Sequence, residues 1–191
     1  MITIYTLTYN EELLIQFMID HYRSRFPDCH IVVYDNFSTD NTVKIAKANN
    51  CEVITYDTNG QFSDRAHMDI KNNCWKESTT DWVLTCDLDE LVNITETQLK
   101  EEEKLGVSMI NFQVYDMINM ENNIDFASMK YGVPSPIPSK QFIFNKKYIT
   151  EINYGPGAHG CNPIGTIVYS KKTYRVYHYV SINADVSIAK F

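Results

Sequence analysis

Asp81-Trp82-Val83-Leu84-Thr85-Cys86-Asp87-Leu88-Asp89-Glu90 reads as a buried strand over Trp82 to Cys86 that breaks into an acidic turn. Strand side chains repeat every two residues, so two carboxylates at alternate positions beyond its end can point to one side. Like charges held that close raise each other's pKa unless a cation sits near them. A Mg²⁺ or Mn²⁺ shared with substrate phosphates meets that need, because these ions favour oxygen and use few protein carboxylates. The rival reading is a solvated acidic turn, and it is the strand context that weighs against it.

Upstream of this strand the chain alternates between strand-like and helix-like stretches. Ile2 to Thr6 is β-branched and aromatic, and Asn10 is placed to cap a helix from Glu11, with Leu13, Leu14, Phe17, Met18 and His21 at helical spacing. His30 to Tyr34 gives a second strand ending on Asp35, and Asp40 is placed to cap a helix through Lys47. Cys51 to Tyr56 gives a third strand, followed by a polar loop around Gly60 and a helical stretch from Asp64 to Glu77. Strand and helix repeated three times and closed by a strand predict a parallel, doubly wound sheet with right-handed crossovers. In such a sheet ligands bind beyond the carboxyl ends of the strands. Three of those ends carry polar signatures: Thr8-Tyr9-Asn10-Glu11, Asp35-Asn36 and Asp87-Leu88-Asp89.

Downstream the pattern changes. Thr95 to Lys104 reads as an exposed amphipathic helix and Val107 to Tyr115 as a long strand. Pro134-Ser135-Pro136-Ile137-Pro138 reads as a loop, with strands expected at 140–145, 148–153, 165–169 and 173–180. The expectation is one domain over 1–191: a ligand-binding half at 1–92 and a mixed-sheet extension at 93–191, with no linker between them.

The 191 residues carry 17 Lys+Arg against 24 Asp+Glu, a net charge of -7, which argues against nucleic acid as the main partner. At 44% apolar the chain can bury a core, and no stretch has the length and apolarity of a membrane span. No Lys or Arg precedes Arg23, and Glu11-Glu12 interrupts the apolar start, unlike a signal peptide. The five cysteines are odd in number and form no C-x-x-C pair, so reduced thiols are expected. Sequons at Asn36 and Asn93 flank the polar strand ends, where a glycan would obstruct a site. These features together point to a cytoplasmic setting. The end at Ala189-Lys190-Phe191 has no polar tail and suggests a piece of a longer polypeptide.

Tyr9-Asn10-Glu11-Glu12, Asp35-Asn36-Phe37-Ser38-Thr39-Asp40-Asn41-Thr42 and the Asp81–Glu90 stretch, in that order, resemble family 2-type glycosyltransferases of the GT-A fold. The resemblance extends to compact members whose metal motif reads D-W-x-L-x-x-D-x-D-E. It covers residues 1–92 and thins afterwards to Gly157-Ala158-His159 and His178-Tyr179. It implies a three-layer αβα sandwich, Rossmann-like, whose parallel half binds a nucleotide-sugar and whose later strands form a mixed extension.

The resemblance also implies roles. Thr8, Tyr9 and Glu11 would line the nucleoside, with Tyr9 against the base. Asp35 would accept from a uracil ring nitrogen, Asp87 would bond the ribose or a metal-bound water, and Asp89 would ligate the metal, with Leu88 between them. Arg65 would reach the diphosphate. His159 and His178 are candidates for a further metal ligand, which would tilt the metal toward Mn²⁺ over Mg²⁺. His159, in a glycine-rich loop, is the favoured one, because His178 shares a face with Val176 and Val180. Asp116 and Glu151 are candidate bases for an acceptor hydroxyl. Neither lies in an E-D pair, which departs from the usual inverting pattern.

The expected activity is therefore metal-dependent transfer of a sugar from a UDP-sugar to an acceptor glycan or protein not specified by these motifs. Two alternatives stand beside it. A sugar-phosphate nucleotidyltransferase would carry a glycine-rich loop after the first strand, where this chain reads Thr6-Leu7-Thr8-Tyr9-Asn10. A catalytically degenerate nucleotide-sugar-binding module would keep the pocket and lack the base.

Overall fold

The computed structural model describes residues 1–59, 61–119, 125–136 and 140–179. Expectations placed on Gly60, Ile137, Pro138 and residues 180–191 fall outside these. The first half follows the expected alternation: β1 (Ile2–Thr8), α1 (Ile15–Arg25), β2 (His30–Asp35), α2 (Thr42–Ala48), β3 (Glu52–Thr55), α3 (Asp64–Asn73) and β4 (Trp82–Asp87). Then come β5 (Glu90–Asn93), α4 (Glu96–Lys104), β6 (Met109–Ile118), β7 (Tyr131–Pro134), β8 (Ile143–Asn145), β9 (Ile149–Glu151), β10 (Ile164–Gly165) and β11 (Tyr169–His178).

The main sheet has the order β3-β2-β1-β4-β8-β6-β11-β5, with β7 added on β6. β3, β2, β1 and β4 are mutually parallel, as are β6 and β11, whereas β8 and β5 run antiparallel to their neighbours. Strand alternation sends Ile2, Ile4, Leu84 and Cys86 to one face, where they pack on Ile15, Met18, Ile19 and Tyr22 of α1 and Ala46 of α2. Tyr5, Val32 and Val83 face the other way and join Trp75, Phe144 and Ile149 in a second cluster. Two apolar faces on one sheet require cover on both, which is the layered arrangement the sequence predicts.

Several boundaries differ from expectation for local reasons. Asn10 does not cap a helix from Glu11: it has φ 53, its side chain accepts from Thr39 N, and α1 begins only at Ile15 after a turn on Glu11 O. Ser63 caps α3 by accepting from Ala66 N, and that helix stops at Asn73, short of Glu77. Thr95 and Gln98 form a reciprocal capping box that starts α4. β5 had no expectation. Its Leu91 and Val92 are fully buried, and its ladder is supplied by β11. Tyr22 of α1 completes its hydrogen bonding: the hydroxyl donates to Glu90 O and accepts from Val92 N. Pro134 ends β7, where a loop was expected.

All five cysteines are free thiols. Burial pushes Cys29 and Cys161 up to about 11 and Cys74 up to about 12, so none is an activated nucleophile. Among the described residues no helix is long and apolar enough to cross a membrane.

Candidate active site

The chain runs from β1 to β2 and β3 on one side, then returns to β4 on the other side of β1. That reversal leaves a crevice beyond the carboxyl ends of β1 and β4, the usual ligand position in open α/β sheets. Register brings the polar strand ends level: Leu7 pairs with Asp87, Thr8 with Asp35, and Asp35 with Thr55. A cavity of about 670 Å³ opens there, within the range of small-molecule sites. Its walls include Thr8, Tyr9 and Glu11 at the end of β1 and just beyond it, and Asp87, Leu88 and Asp89 at the end of β4 and just beyond it.

The loops around it are fastened by the Ser38-Thr39-Asp40-Asn41-Thr42 stretch. Ser38 Oγ, Thr42 Oγ1 and Asp40 Oδ2 accept from the backbone N–H groups of Asn10, Glu11 and Glu12 in turn, at 2.9, 2.7 and 3.0 Å. Asn10 Oδ1 and Glu12 Oε2 return the favour to Thr39 N and Asn41 N. Asp35 sits below this. It is 2% exposed, its carboxylate accepts from Ser38 N, and it is not on the cavity wall. Its neighbour Asn36 is on the wall and exchanges two hydrogen bonds with Thr58, tying the β2 end to the loop after β3.

Asp87 lies in a group of four charges. Lys71 Nζ is 2.7 Å from Asp87 Oδ1, Lys140 Nζ is 3.6 Å from Oδ2, and Lys140 also pairs with Glu90 at 2.5 Å. Glu90 Oε2 accepts from Asp87 N. Lys71 is 4% exposed and Glu90 2%. Burial alone would raise the Asp87 carboxyl, but the Lys71 and Lys140 ammonium groups outweigh it and hold Asp87 well below the usual carboxylate range. Burial and the nearby Asp87 charge push Glu90 the other way. The sequence reading missed Lys71 and Lys140. A lysine in an amphipathic helix carries no mark of its burial.

The late residues are distributed unlike the expectation. His178, at the end of β11, lines the cavity, and its Nδ1 is 2.9 Å from Asp116 Oδ1. Tyr179 N donates to Asp89 O, which fixes the acidic turn beside the end of β11. His159 is exposed and off the wall: its ring lies over Gly157, 2.6 Å from where a Cβ would stand. Gly157, with φ 63, lines the cavity in its place. Arg65 is a further departure. Its side chain is 89% exposed and sits 3.9 Å from Asp69, one helical turn on, off the cavity wall. Of the two candidate bases, Glu151 pairs with Lys76 at 2.8 Å and Asp116 is held by His178; neither is on the wall.

Residues 3–164 match the model of glycosyl transferase family 2. The chain belongs to this family. The matched span takes in β1, β2 and β4. Among solved structures the fold matches S. aureus TarS 1-349 at 14% identity and a TM-score of 0.56, over 94% of this chain and 60% of that one. It matches the same protein in complex with UDP at 15% identity and a TM-score of 0.58, again over 94% and 60%. The complex with UDP-GlcNAc matches at 16% identity and a TM-score of 0.54, over 97% and 60%. This chain therefore spans about 60% of the length of those TarS chains. At these identities the likeness shows the fold, a largely parallel GT-A sheet. No curated protein matches the chain in sequence.

Proposed function

We propose that the chain transfers a sugar from a UDP-linked donor to an acceptor hydroxyl, with a divalent cation assisting departure of the diphosphate. The observation that carries this reading is the cavity at the β1–β4 crossover, walled by Tyr9 at one strand end and by Asp87 and Asp89 at the other. TarS structures hold UDP and UDP-GlcNAc, which supports uridine as the base.

Tyr9, 47% exposed on the wall, offers its ring to the base, with Asn36 beside it. Asp35 supports this end by holding the Ser38 turn. At the other end the donor set fits a cation shared with phosphate. Asp87 and Asp89 both line this end, and we assign Asp89, the carboxylate the resemblance implies, to the metal with His178 as the imidazole. Among the described residues no group of three or more His, Cys, Asp or Glu stands ready to hold an ion unaided, so phosphate oxygens would complete the set. Such an ion would offset charge developing on the leaving diphosphate. We assign residues 1–92 to the donor, with His178 joining them at the metal, and the rest of 93–191 to the acceptor side. Five unpaired cysteines support a reducing compartment such as the cytoplasm.

One observation favours the second reading, a binding module without turnover: both candidate bases are engaged elsewhere, Asp116 with His178 and Glu151 with Lys76. Calorimetry with UDP, with and without Mn²⁺, tests the pocket. Asp89→Ala is expected to abolish the Mn²⁺-dependent part of UDP affinity, and equal affinity in both proteins would refute the assignment. Release of UDP from UDP-sugars then separates transferase from module.

A further inference from the structure

Asp116 and His178 stand opposite each other at the carboxyl ends of β6 and β11, paired in the parallel register. Asp116 Oδ1 lies 2.9 Å from His178 Nδ1, with the two side chains 28% and 16% exposed. Only the imidazole reaches the cavity wall. A neutral imidazole donates from one nitrogen and accepts at the other. A carboxylate on Nδ1 selects the Nδ1–H form and leaves Nε2 as the lone-pair nitrogen. The next residue, Tyr179, bonds Asp89 O through its backbone N–H, so the acidic turn and the imidazole are fixed to the same strand end. A histidine whose outer nitrogen is held by a carboxylate, beside a second carboxylate in a cavity, is the arrangement that orients a metal-binding imidazole.

We infer that Asp116 is a positioning residue: it holds His178 in the Nδ1–H form so that Nε2 is presented to a divalent cation shared with Asp89 and the donor diphosphate. This rests on the donor reading above and replaces the role of base that the sequence suggests for Asp116. Its carboxylate is engaged by His178 Nδ1 at 2.9 Å, and it acts through the ring it orients.

The test measures Mn²⁺ binding at saturating UDP, from the free-ion electron paramagnetic signal, in wild type, Asp116→Asn, His178→Ala and the double variant. Asp116→Asn is expected to weaken Mn²⁺ about 10- to 100-fold, and to add nothing in the His178→Ala background, because the two residues act as one unit. UDP affinity in chelator should change by less than about twofold, a readout that a general loss of structure would move. Additive losses, or unaltered Mn²⁺ binding in Asp116→Asn, would overturn the assignment. Long-range ¹H–¹⁵N spectra of the metal-free wild type give an independent check that needs no variant. An Nδ1–H ring is expected, and an Nε2–H ring refutes the proposal. Failure of wild type to bind UDP at all would instead strike the donor reading.

Discussion

His21 lies in α1 with its ring edge-on to Tyr22 and its Nε2 2.9 Å from Val92 O, tying the helix to β5. Burial lowers its pKa to about 4, against the hydrogen bond to Val92 and with the help of Arg25. The unfolded chain takes up this proton near pH 6.5 and the folded chain only near pH 4, so stability falls as pH drops through that window, by about 3 kcal/mol. His21→Gln keeps a donor for Val92 O without a titrating ring. Its denaturation midpoint should be flatter between pH 6.5 and 4 than that of wild type, and parallel profiles would contradict the buried neutral ring. Lys71 makes the opposite kind of case. Lys71→Met leaves Asp87 with Lys140 alone, at 3.6 Å, and the expected loss in urea unfolding is about 1–3 kcal/mol. Neither residue declares its role in sequence. Lys140 and Glu90 meet across 50 positions, and only the folded sheet makes them neighbours.

At the scale of elements, β1 to β4 were legible because each is a run of β-branched or aromatic residues bounded by polar turns. β5 was not, because Leu91 and Val92 alone make too short a run, and it exists as a strand through β11 and the Tyr22 hydroxyl. The three polar strand ends were placed together correctly in position, since parallel register follows from the crossovers. Which late histidine meets the cavity was decided by β11 pairing with β6, a long-range contact that no local pattern encodes. The β9–β10 pair carries its own prediction. Gly165 has φ 138, and a Cβ there would stand 2.0 Å from Tyr148 O. Gly165→Ala must shift the backbone, with an expected loss on the order of 1–3 kcal/mol in thermal unfolding. A variant as stable as wild type would show that the pair moves freely.

For the whole molecule, the donor reading predicts a coupling between ligand and fold. UDP at 100 times its dissociation constant should stabilise the protein by about 2.7 kcal/mol if it binds the folded state alone. The rise in melting temperature should shrink in Asp89→Ala when Mn²⁺ is present and match wild type in chelator. The alternating acceptors Ser38, Asp40 and Thr42 bear on how such a ligand is met. Because each takes one successive amide of the Asn10–Glu12 turn, and Asn10 and Glu12 bond back, the two loops form a closed hydrogen-bonded ring of side chain and backbone. Opening either loop breaks bonds of both, so their amides should exchange with deuterium as one cooperative unit, at a common rate, rather than as two independently fraying ends. The conformational entropy of that wall is then surrendered during folding, so on the donor reading a nucleotide would meet a surface that is already ordered.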